Sequence, residues 1–600
     1  MSIVSALQAL RLDLRFMRNV VAWRRVPARP AQYAAFPPGL DGRLVAALAA
    51  RGIGQLYTHQ AEAVAAALTG AHVAVITPAA SGKTLCYNLP VLHRLLADPR
   101  ARGLYLFPTK ALAQDQLAEL NELVGALVDK ETRKQGNRET GKQGGEKAHS
   151  RAPTLPYSHS SPLSCSTYDG DTPSAQRAKI RDATRIILSN PDMLHAGILP
   201  QHPRWAAFFA NLRVVVIDEM HVYRGVFGSH VANVLRRLRR ICRFYGNEPQ
   251  FILASATIAN PADLAERLVE APVTLIDEER NGAPQGEREI LFYNPPLLDP
   301  ALGIRRSSNL EAADLAAHFL AHDVQTIVFA RARLTTELML TYLRELVGTQ
   351  GVSGELGGTG VGSGELGGTQ ENFGEAQNEK RKTKDENGKQ QNVNSKTQIA
   401  EDGSATPSSQ FPSSNLQAPS SNPQSIRGYR GGYLPSERRE IERGLREGTV
   451  RGVVATSALE LGIDIGALGA AVLAGYPGTI ASAPQQMGRA GRRQEVSAAV
   501  LVATATALDQ YVAAHPDYLL ARTPEHARLN PDNEIILAGH LACAAAELPI
   551  EMGEGFSNQA EHPERSGEAV SAAESKDAAM PVTTPHPSTP PRPTSAGFRS

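Results

Sequence analysis

A strand-like run, HVAVIT (His72–Thr77), passes directly into TPAASGKT (Thr77–Thr84) and then into the apolar, helix-patterned LCYNLPVLHRLL. No other stretch restricts the fold as strongly. A loop of small residues between a buried strand and a helix leaves its backbone N–H groups free to wrap an anion, and the helix dipole favours negative charge there. The ending Gly-Lys-Thr is that of a phosphate-binding loop. Ala79, Ala80, Ser81 and Gly82 form the cradle, Lys83 reaches the β- and γ-phosphates, and the Thr84 hydroxyl is the expected Mg²⁺ ligand. Thr77 stands where the general pattern has its first glycine, which leaves this mechanism unchanged. ATP and Mg²⁺ are the implied cofactors, and a parallel α/β sheet is the implied frame.

A second element agrees with the first. VVVI (Val214–Ile217) carries Asp218-Glu219-Met220-His221 at its carboxyl end, the edge at which such sheets bind ligands. Asp218 is assigned to Mg²⁺ and Glu219 to positioning and deprotonating an attacking water. Alone, such a carboxylate pair reads equally well as a solvated turn; beside a phosphate loop it reads as a catalytic pair. His221 fits a satisfied core or interdomain histidine and a coupling residue equally well.

The other apolar runs fall into two series. Gly103–Phe107, Arg185–Leu188 and Phe251–Ala254 join the strands above, with helical patterns at Leu112–Val124 and His230–Phe244 between them. From about Glu289 a second series follows, with strands at Thr326–Phe329, Gly452–Ala455 and Ala470–Leu473. The expected fold is α/β, two doubly wound domains; the family resemblance given below implies that these are two tandem RecA-like P-loop domains with disordered insertions and a partial C-terminal accessory region. The boundaries read as a helical segment at 1–50, a first domain at 51–288, a second at 289–515, the start of an accessory domain at 516–552 and a tail at 553–600. Segments of about 130–163 and 349–424 and the Pro/Thr/Ser-rich tail have too little apolar surface to fold and are expected to be disordered.

Composition adds exclusions. Lys plus Arg (62) nearly balance Asp plus Glu (61), so nucleic-acid affinity must come from a local groove and not from a generally basic surface. Cys86, Cys165, Cys242 and Cys543 contain no C-x-x-C, which argues against disulfides and against a four-cysteine zinc site. The N-terminus is interrupted by Arg11, Asp13 and Arg15, and the uncharged run Ile465–Gly488 contains Pro477, Pro484 and several glycines. Neither reads as a leader or membrane span, and the chain reads as cytoplasmic, nucleoid-associated if bacterial.

Further motifs follow in a fixed order, and together they resemble the superfamily 2 helicases of the DExH type. LYTHQ (Leu56–Gln60) looks like the adenine-reading Q motif, with Gln60 facing the base. PTKALAQDQ (Pro108–Gln116), STYDGDT (Ser166–Thr172), LSNPDMLH (Leu188–His195) and SAT (Ser255–Thr257) resemble the first-domain motifs. IVFARAR (Ile327–Arg333), ATSALELGIDIG (Ala455–Gly466) and QQMGRAGR (Gln485–Arg492) resemble motifs IV, V and VI of the second. YDGDT, NPDMLH, YRGGYLPSERREIE (Tyr429–Glu442) and NPDNEIILAGHLACAAAELP (Asn530–Pro549) are more narrowly similar to the group containing the fungal RecQ-like enzyme and bacterial mitomycin-repair helicases. That resemblance implies a DNA helicase moving 3′ to 5′ on single strands, tied to repair, acting on single-stranded and 3′-tailed DNA. It also implies a C-terminal zinc domain with a cysteine cluster, and no such cluster occurs in these 600 residues. The chain therefore reads as a piece or as one whose end has degenerated.

Within that resemblance, Arg489 and Arg492 are the expected arginine fingers, three residues apart on one helical face. Gln485 is expected at the γ-phosphate, and Gly462 and Asp464 are expected to link cleft closure to the ribose and motif VI. Thr109, Lys110, Asn190, Arg331, Thr456 and Ser457 are the candidates for gripping nucleic-acid phosphates, since a translocating motor must not depend on base identity. Arg236, Arg237, Arg239, Arg240 and Arg243 read as a solvated helix face more readily than as a DNA patch. Tyr429 and Tyr433 are equally compatible with base stacking and with packing. An RNA-remodelling enzyme and a nucleic-acid-binding ATPase scaffold unable to unwind remain as alternatives.

Overall fold

A computed structural model of the chain describes residues 2–78, 80–139, 163–352, 422–462, 465–466, 468–491, 495–551 and 554–556. The cradle residue Ala79, Asp464 and Arg492 lie outside the described residues, as do most of the two insertions and of the tail.

Two seven-stranded sheets organise the molecule. In the first, the strands run in the order Thr274–Ile276, Val73–Ile76, Gln250–Ser255, Leu212–Ile217, Arg102–Leu106, Ile186–Ser189 and Cys165–Thr167, all parallel. Helices cover both faces, so a central strand such as Val73–Ile76 is buried along its whole length and is apolar without alternation. In the second, Arg288–Tyr293, Ser497–Val502, Ala470–Ala474, Thr326–Phe329, Gly452–Ala455 and Ile426–Tyr429 are parallel neighbours. These are two tandem RecA-like domains. One apolar cluster continues from the first into the second, joining Leu112 and Tyr87 to Leu459 and Ile441.

The chain crosses between the domains more often than tandem boundaries imply. Residues 1–50 are not simply helical: Val20–Val26 is a strand, added antiparallel to Arg288–Tyr293 at the edge of the second sheet. Its Trp23 donates to the buried Glu289 carboxylate at 2.6 Å, and Arg11 lies 4.6 Å above the Trp23 ring. The helix Ile3–Leu12 packs Leu7 and Leu10 into the cluster that holds Phe319 and Leu291. The chain then passes to the first domain, where Tyr33–Ala34 pairs with Leu56–Tyr57. It returns at 277–287 beside its own earlier passage, through a bridge between Arg29 and Gln285.

A third crossing follows Ser497–Val502. The helix Glu534–Glu547 does not extend away as a separate body but lies on Gly225–Phe244 of the first domain. The arginine-rich face of Gly225–Phe244 is accordingly covered at Arg236, Arg237 and Arg240, while Arg243 remains exposed. Arg236 pairs with Glu270 and with Asp532 at 2.7 Å, Arg240 pairs with Glu554 and donates to the Ala544 carbonyl, and Arg237 is fully buried against Glu547. Five closely spaced arginines are tolerated because carboxylates and carbonyls some three hundred positions later meet three of them, while Arg239 and Arg243 share Glu248.

The helix Lys110–Glu139 runs into the first segment expected to be disordered. The uncharged run Ile465–Gly488 resolves into the strand Ala470–Ala474, a loop and the short helix Ser482–Met487. Among the described residues no helix is long and apolar enough to cross a membrane.

Candidate nucleotide cleft and nucleic-acid face

The loop after Val73–Ile76 is built for close backbone approach. Ala80 and Gly82 both take positive φ, +64° and +79°, which turns successive N–H groups inward at the start of the helix Lys83–Ala97. Lys83 Nζ is folded back onto the loop, donating to the carbonyls of Thr77 (2.8 Å) and Pro78 (3.0 Å). Ser81 and Thr77 share a hydroxyl hydrogen bond of 2.6 Å. Gln60 is buried, and its amide accepts from Tyr57 N (3.0 Å) and donates to Gly82 O (2.9 Å). In this arrangement Gln60 fastens the loop to the preceding helix.

Asp218 and Glu219 emerge from the carboxyl end of Leu212–Ile217 opposite Lys83. Asp218 Oδ1 accepts from the Glu219 N–H (2.8 Å), and Oδ2 accepts from the Tyr87 hydroxyl (3.2 Å). Glu219 itself sits in the left-handed region (φ +51°), a strained conformation for a glutamate that turns its carboxylate into the cleft. Burial and the adjacent Glu219 push the Asp218 carboxyl up to about 7, while burial pulls the Lys83 ammonium down. Two buried carboxylates facing one lysine form an oxygen-donor site short of positive charge. With the nearby Thr84 hydroxyl, this set suits a hard divalent cation such as Mg²⁺.

The second domain closes the other wall. Gly462 N–H donates to Glu219 Oε1 at 3.2 Å, and a Cβ at Gly462 would lie 2.9 Å from that oxygen. His221, whose imidazole burial shifts below its ordinary range, lies 3.4 Å from Glu219 Oε2 and from Ser255 Oγ, and its Nε2 lies 3.3 Å from Gln485 Nε2. Of the two readings left open for His221, its position is interdomain, touching three of the motifs. Gln485 here meets His221. Arg489 lies beyond the end of the helix Ser482–Met487, and Arg492, expected beside it, lies outside the described residues. Its guanidinium is buried and donates to Glu460 O at 2.6 Å, and Gln486 holds the Glu460 carboxylate at 2.9 Å.

The nucleic-acid candidates divide between the two domains. Thr109 caps the helix that begins at Lys110, and Lys110 is exposed and paired with Asp171 at 2.7 Å. Asn190 caps Pro191–Met193 by accepting from Met193 N at 2.7 Å. Arg331 and Ser457 line one cavity of about 540 Å³ with Arg224 of the first domain, and Thr456 caps the turn Ser457–Leu459. Tyr429 is buried, its hydroxyl on Glu442 at 2.6 Å, and Tyr433 is held by Glu337 at 3.0 Å; Tyr429 is thus a packing residue.

Several connecting residues carried no local motif. Tyr87 joins Asp218 to Gln116. Glu525 accepts from the N–H groups of Ile480 and Ala481, just before Gln485, and two residues on Ala527 exchanges two hydrogen bonds with Asn260, which follows SAT. In the sequence Glu525 is only an acidic residue within the segment 516–552, with no motif to mark it.

Comparison with known proteins agrees with this geometry. The DEAD/DEAH box helicase family matches residues 57–155 and 154–264, the helicase conserved C-terminal domain matches 414–494, and the winged helix domain of ATP-dependent helicase HRQ1 matches 529–567. The chain is 45% identical to ATP-dependent helicase YprA of Bacillus subtilis over 92% of its own length and 60% of the relative's. It is 34% identical to ATP-dependent helicase hrq1 of Schizosaccharomyces pombe over 87% of its own length and 40% of the relative's. The crystal structure of helicase MrfA bound to DNA and AMPPNP shares 42% identity at a TM-score of 0.72, covering 97% of this chain and 66% of that one. The chain thus spans less than two thirds of the length of these relatives. With both domains, their motifs and this likeness in view, the chain belongs to the superfamily 2 DExH helicases of the HRQ1 and MrfA type.

Proposed function

We propose that this chain is an ATP-driven DNA helicase or translocase that moves 3′ to 5′ on single-stranded DNA and serves DNA repair. The observation that carries the proposal is the hydrogen bond from Gly462 N–H to Glu219 Oε1. A general base tied to the opposite domain orients water only when the cleft has a defined width, so hydrolysis and domain position are linked. The DNA-bound structures of MrfA support the choice of nucleic acid.

In this reading the loop residues 79–82 hold the phosphates by their N–H groups, and Lys83 leaves the Thr77 and Pro78 carbonyls to meet them. Glu219 takes the proton of the attacking water. Thr84 and Asp218 hold Mg²⁺, which when bound neutralises phosphate charge. Arg489, with Arg492, supplies positive charge from the second wall, a contribution worth roughly 10³ to 10⁵ in rate in P-loop enzymes. Gln485 and His221 report the state of the cleft to Ser255. Thr109, Lys110 and Asn190 grip phosphates on one domain and Arg331, Thr456 and Ser457 on the other, so affinity falls with salt.

Strand displacement on 3′-tailed DNA, 5′-tailed DNA and RNA duplexes tests the substrate and polarity. Unwinding of 3′-tailed DNA is expected, and unwinding of RNA alone refutes the DNA assignment. Glu219→Gln is expected to abolish ATP turnover while leaving ATP bound and the protein trapped on its strand. Normal hydrolysis by that variant would remove Glu219 as the base.

A further inference from the structure

The core of the first domain contains a polar chain that runs from the nucleotide cleft to the helix expected to grip the strand. Tyr87 lies one turn after Lys83 and is buried, with its ring edge-on to Tyr105 at 5.7 Å. Its hydroxyl is 3.2 Å from Asp218 Oδ2 and 3.0 Å from Gln116 Oε1, and the Thr84 side chain lies close to it. Asp218 and Thr84 are the two groups assigned to the cation. Gln116 belongs to the helix that starts at Lys110, and on the same helix Gln114 donates to Thr167 at 3.0 Å. One oxygen atom therefore joins a group assigned to the cation to the helix that starts at Lys110.

A phenol has a single proton to donate. An ionised Asp218 offers only acceptors, and Gln116 presents its carbonyl oxygen, so the hydroxyl serves one of them at a time unless the Gln116 amide turns to present its NH₂. Two arrangements follow. In one, the hydroxyl donates to Asp218 and Gln116 is turned to donate to the phenol oxygen; in the other, the hydroxyl donates to Gln116 and Asp218 Oδ2 is released toward the cleft. Charge arriving at Asp218 favours the second. A ring needed only for packing requires neither arrangement, and burying an oxygen there without partners would be costly.

We propose that the Tyr87 hydroxyl is a positioning group that couples nucleotide occupancy at Thr84 and Asp218 to strand affinity at Thr109 and Lys110, through Gln116. This rests on the reading of the chain as an ATP-driven DNA motor. Coupling of this kind is reciprocal, so it is measurable in binding without turnover.

The test uses the full chain and a fluorescein-labelled oligodeoxythymidylate, its affinity measured by anisotropy with and without AMP-PNP and Mg²⁺. Tyr87→Phe keeps the ring and removes the oxygen; Gln116→Leu breaks the chain from the other side. Each is expected to reduce the nucleotide-induced change in DNA affinity by about fivefold, within the usual range of such couplings. Affinity for the oligonucleotide alone is expected to change less than about twofold, and the double variant to show no further loss of coupling. Wild-type-like coupling in Tyr87→Phe overturns the proposal, as do additive losses in the double variant. Wild-type protein that binds AMP-PNP but shows no effect of it on DNA affinity overturns the coupling alone, whereas wild-type protein that binds no DNA overturns the functional reading with it.

Discussion

Replacing Arg237 with leucine removes one partner of a buried ion pair and leaves the other without its cation. The Arg237 side chain is 0% exposed and that of Glu547 is 3% exposed. Two guanidinium nitrogens meet the two carboxylate oxygens, one at 3.0 Å, and the third lies 2.6 Å from His195 Nδ1 and 3.3 Å from His540 Nδ1. Leucine fills much of the aliphatic stem, so the loss is mainly electrostatic. Breaking a buried pair from one side costs about 3–5 kcal/mol. At about 1.4 kcal/mol per decade, that is a factor of roughly 10² to 10³·⁵ in the equilibrium that undocks the C-terminal helix. Hydrogen–deuterium exchange on the full chain reads this locally: amides of Glu534–Glu547 are expected to exchange at least about 100-fold faster, with the strand Leu212–Ile217 unchanged. The double variant Arg237→Leu/Glu547→Leu is expected to recover most of the protection, because no buried charge then remains. A change below about threefold in the single variant, or no recovery in the double, refutes the assignment of docking energy to this pair.

Two further outcomes are expected. Gly82→Ala places a Cβ 2.6 Å from Gln60 Nε2 at a φ of +79°, so the affinity for AMP-PNP measured by calorimetry is expected to fall about tenfold, since a left-handed alanine costs about 1–2 kcal/mol; unchanged affinity would show that the loop re-forms without this turn. The His540 imidazole is pushed down to about 4, first by burial and then by Arg237, with His195, His230 and Arg236 also facing it. The unfolded imidazole takes up a proton near its ordinary value of about 6.5 while the docked one refuses it, so docking is full above about pH 6.5 and weakens as pH falls toward 4. His540→Gln is expected to flatten the pH dependence of exchange in this helix, and an unchanged slope would assign it elsewhere.

Where a residue's partner is local or its burial is complete, the sequence alone located it well. TIVF at Thr326–Phe329 and GVVA at Gly452–Ala455 are central strands covered on both faces, and continuous apolar runs reveal them. The strand VVAWRRV at Val20–Val26 was hidden because it is an edge strand, half exposed, with Arg24 and Arg25 at its end and its partner more than 260 positions away. SAAVLV at Ser497–Val502 is a buried strand with two alanines, whose small side chains suit close packing but give no β signal. The arginines of Gly225–Phe244 followed the usual rule for a charged helix face, and that rule failed because the covering segment is supplied from far along the chain. In the cleft, residue types and their order singled out Lys83, Asp218 and Glu219, which the fold brings together. They did not identify the resting partners, such as the carbonyls that hold Lys83 or the Gly82 carbonyl that holds Gln60, because these depend on backbone torsions set by the whole loop.

The crossings at Arg29 and Gln285 lie side by side, joined by reciprocal backbone hydrogen bonds of 2.8 and 2.9 Å. Together they form a two-stranded ribbon, stiffer across its width than along it, and the third passage is pinned at Glu525 and Asn260. Such a linkage resembles a door hung on a paired hinge with a check-strap. It resists separation of the domains by translation and leaves mainly a swing about the ribbon. In the motor proposed above, halves constrained in this way would turn a small change in cleft width at Glu219 into a directed sweep of the far edge, instead of losing it as independent tumbling of two tethered bodies.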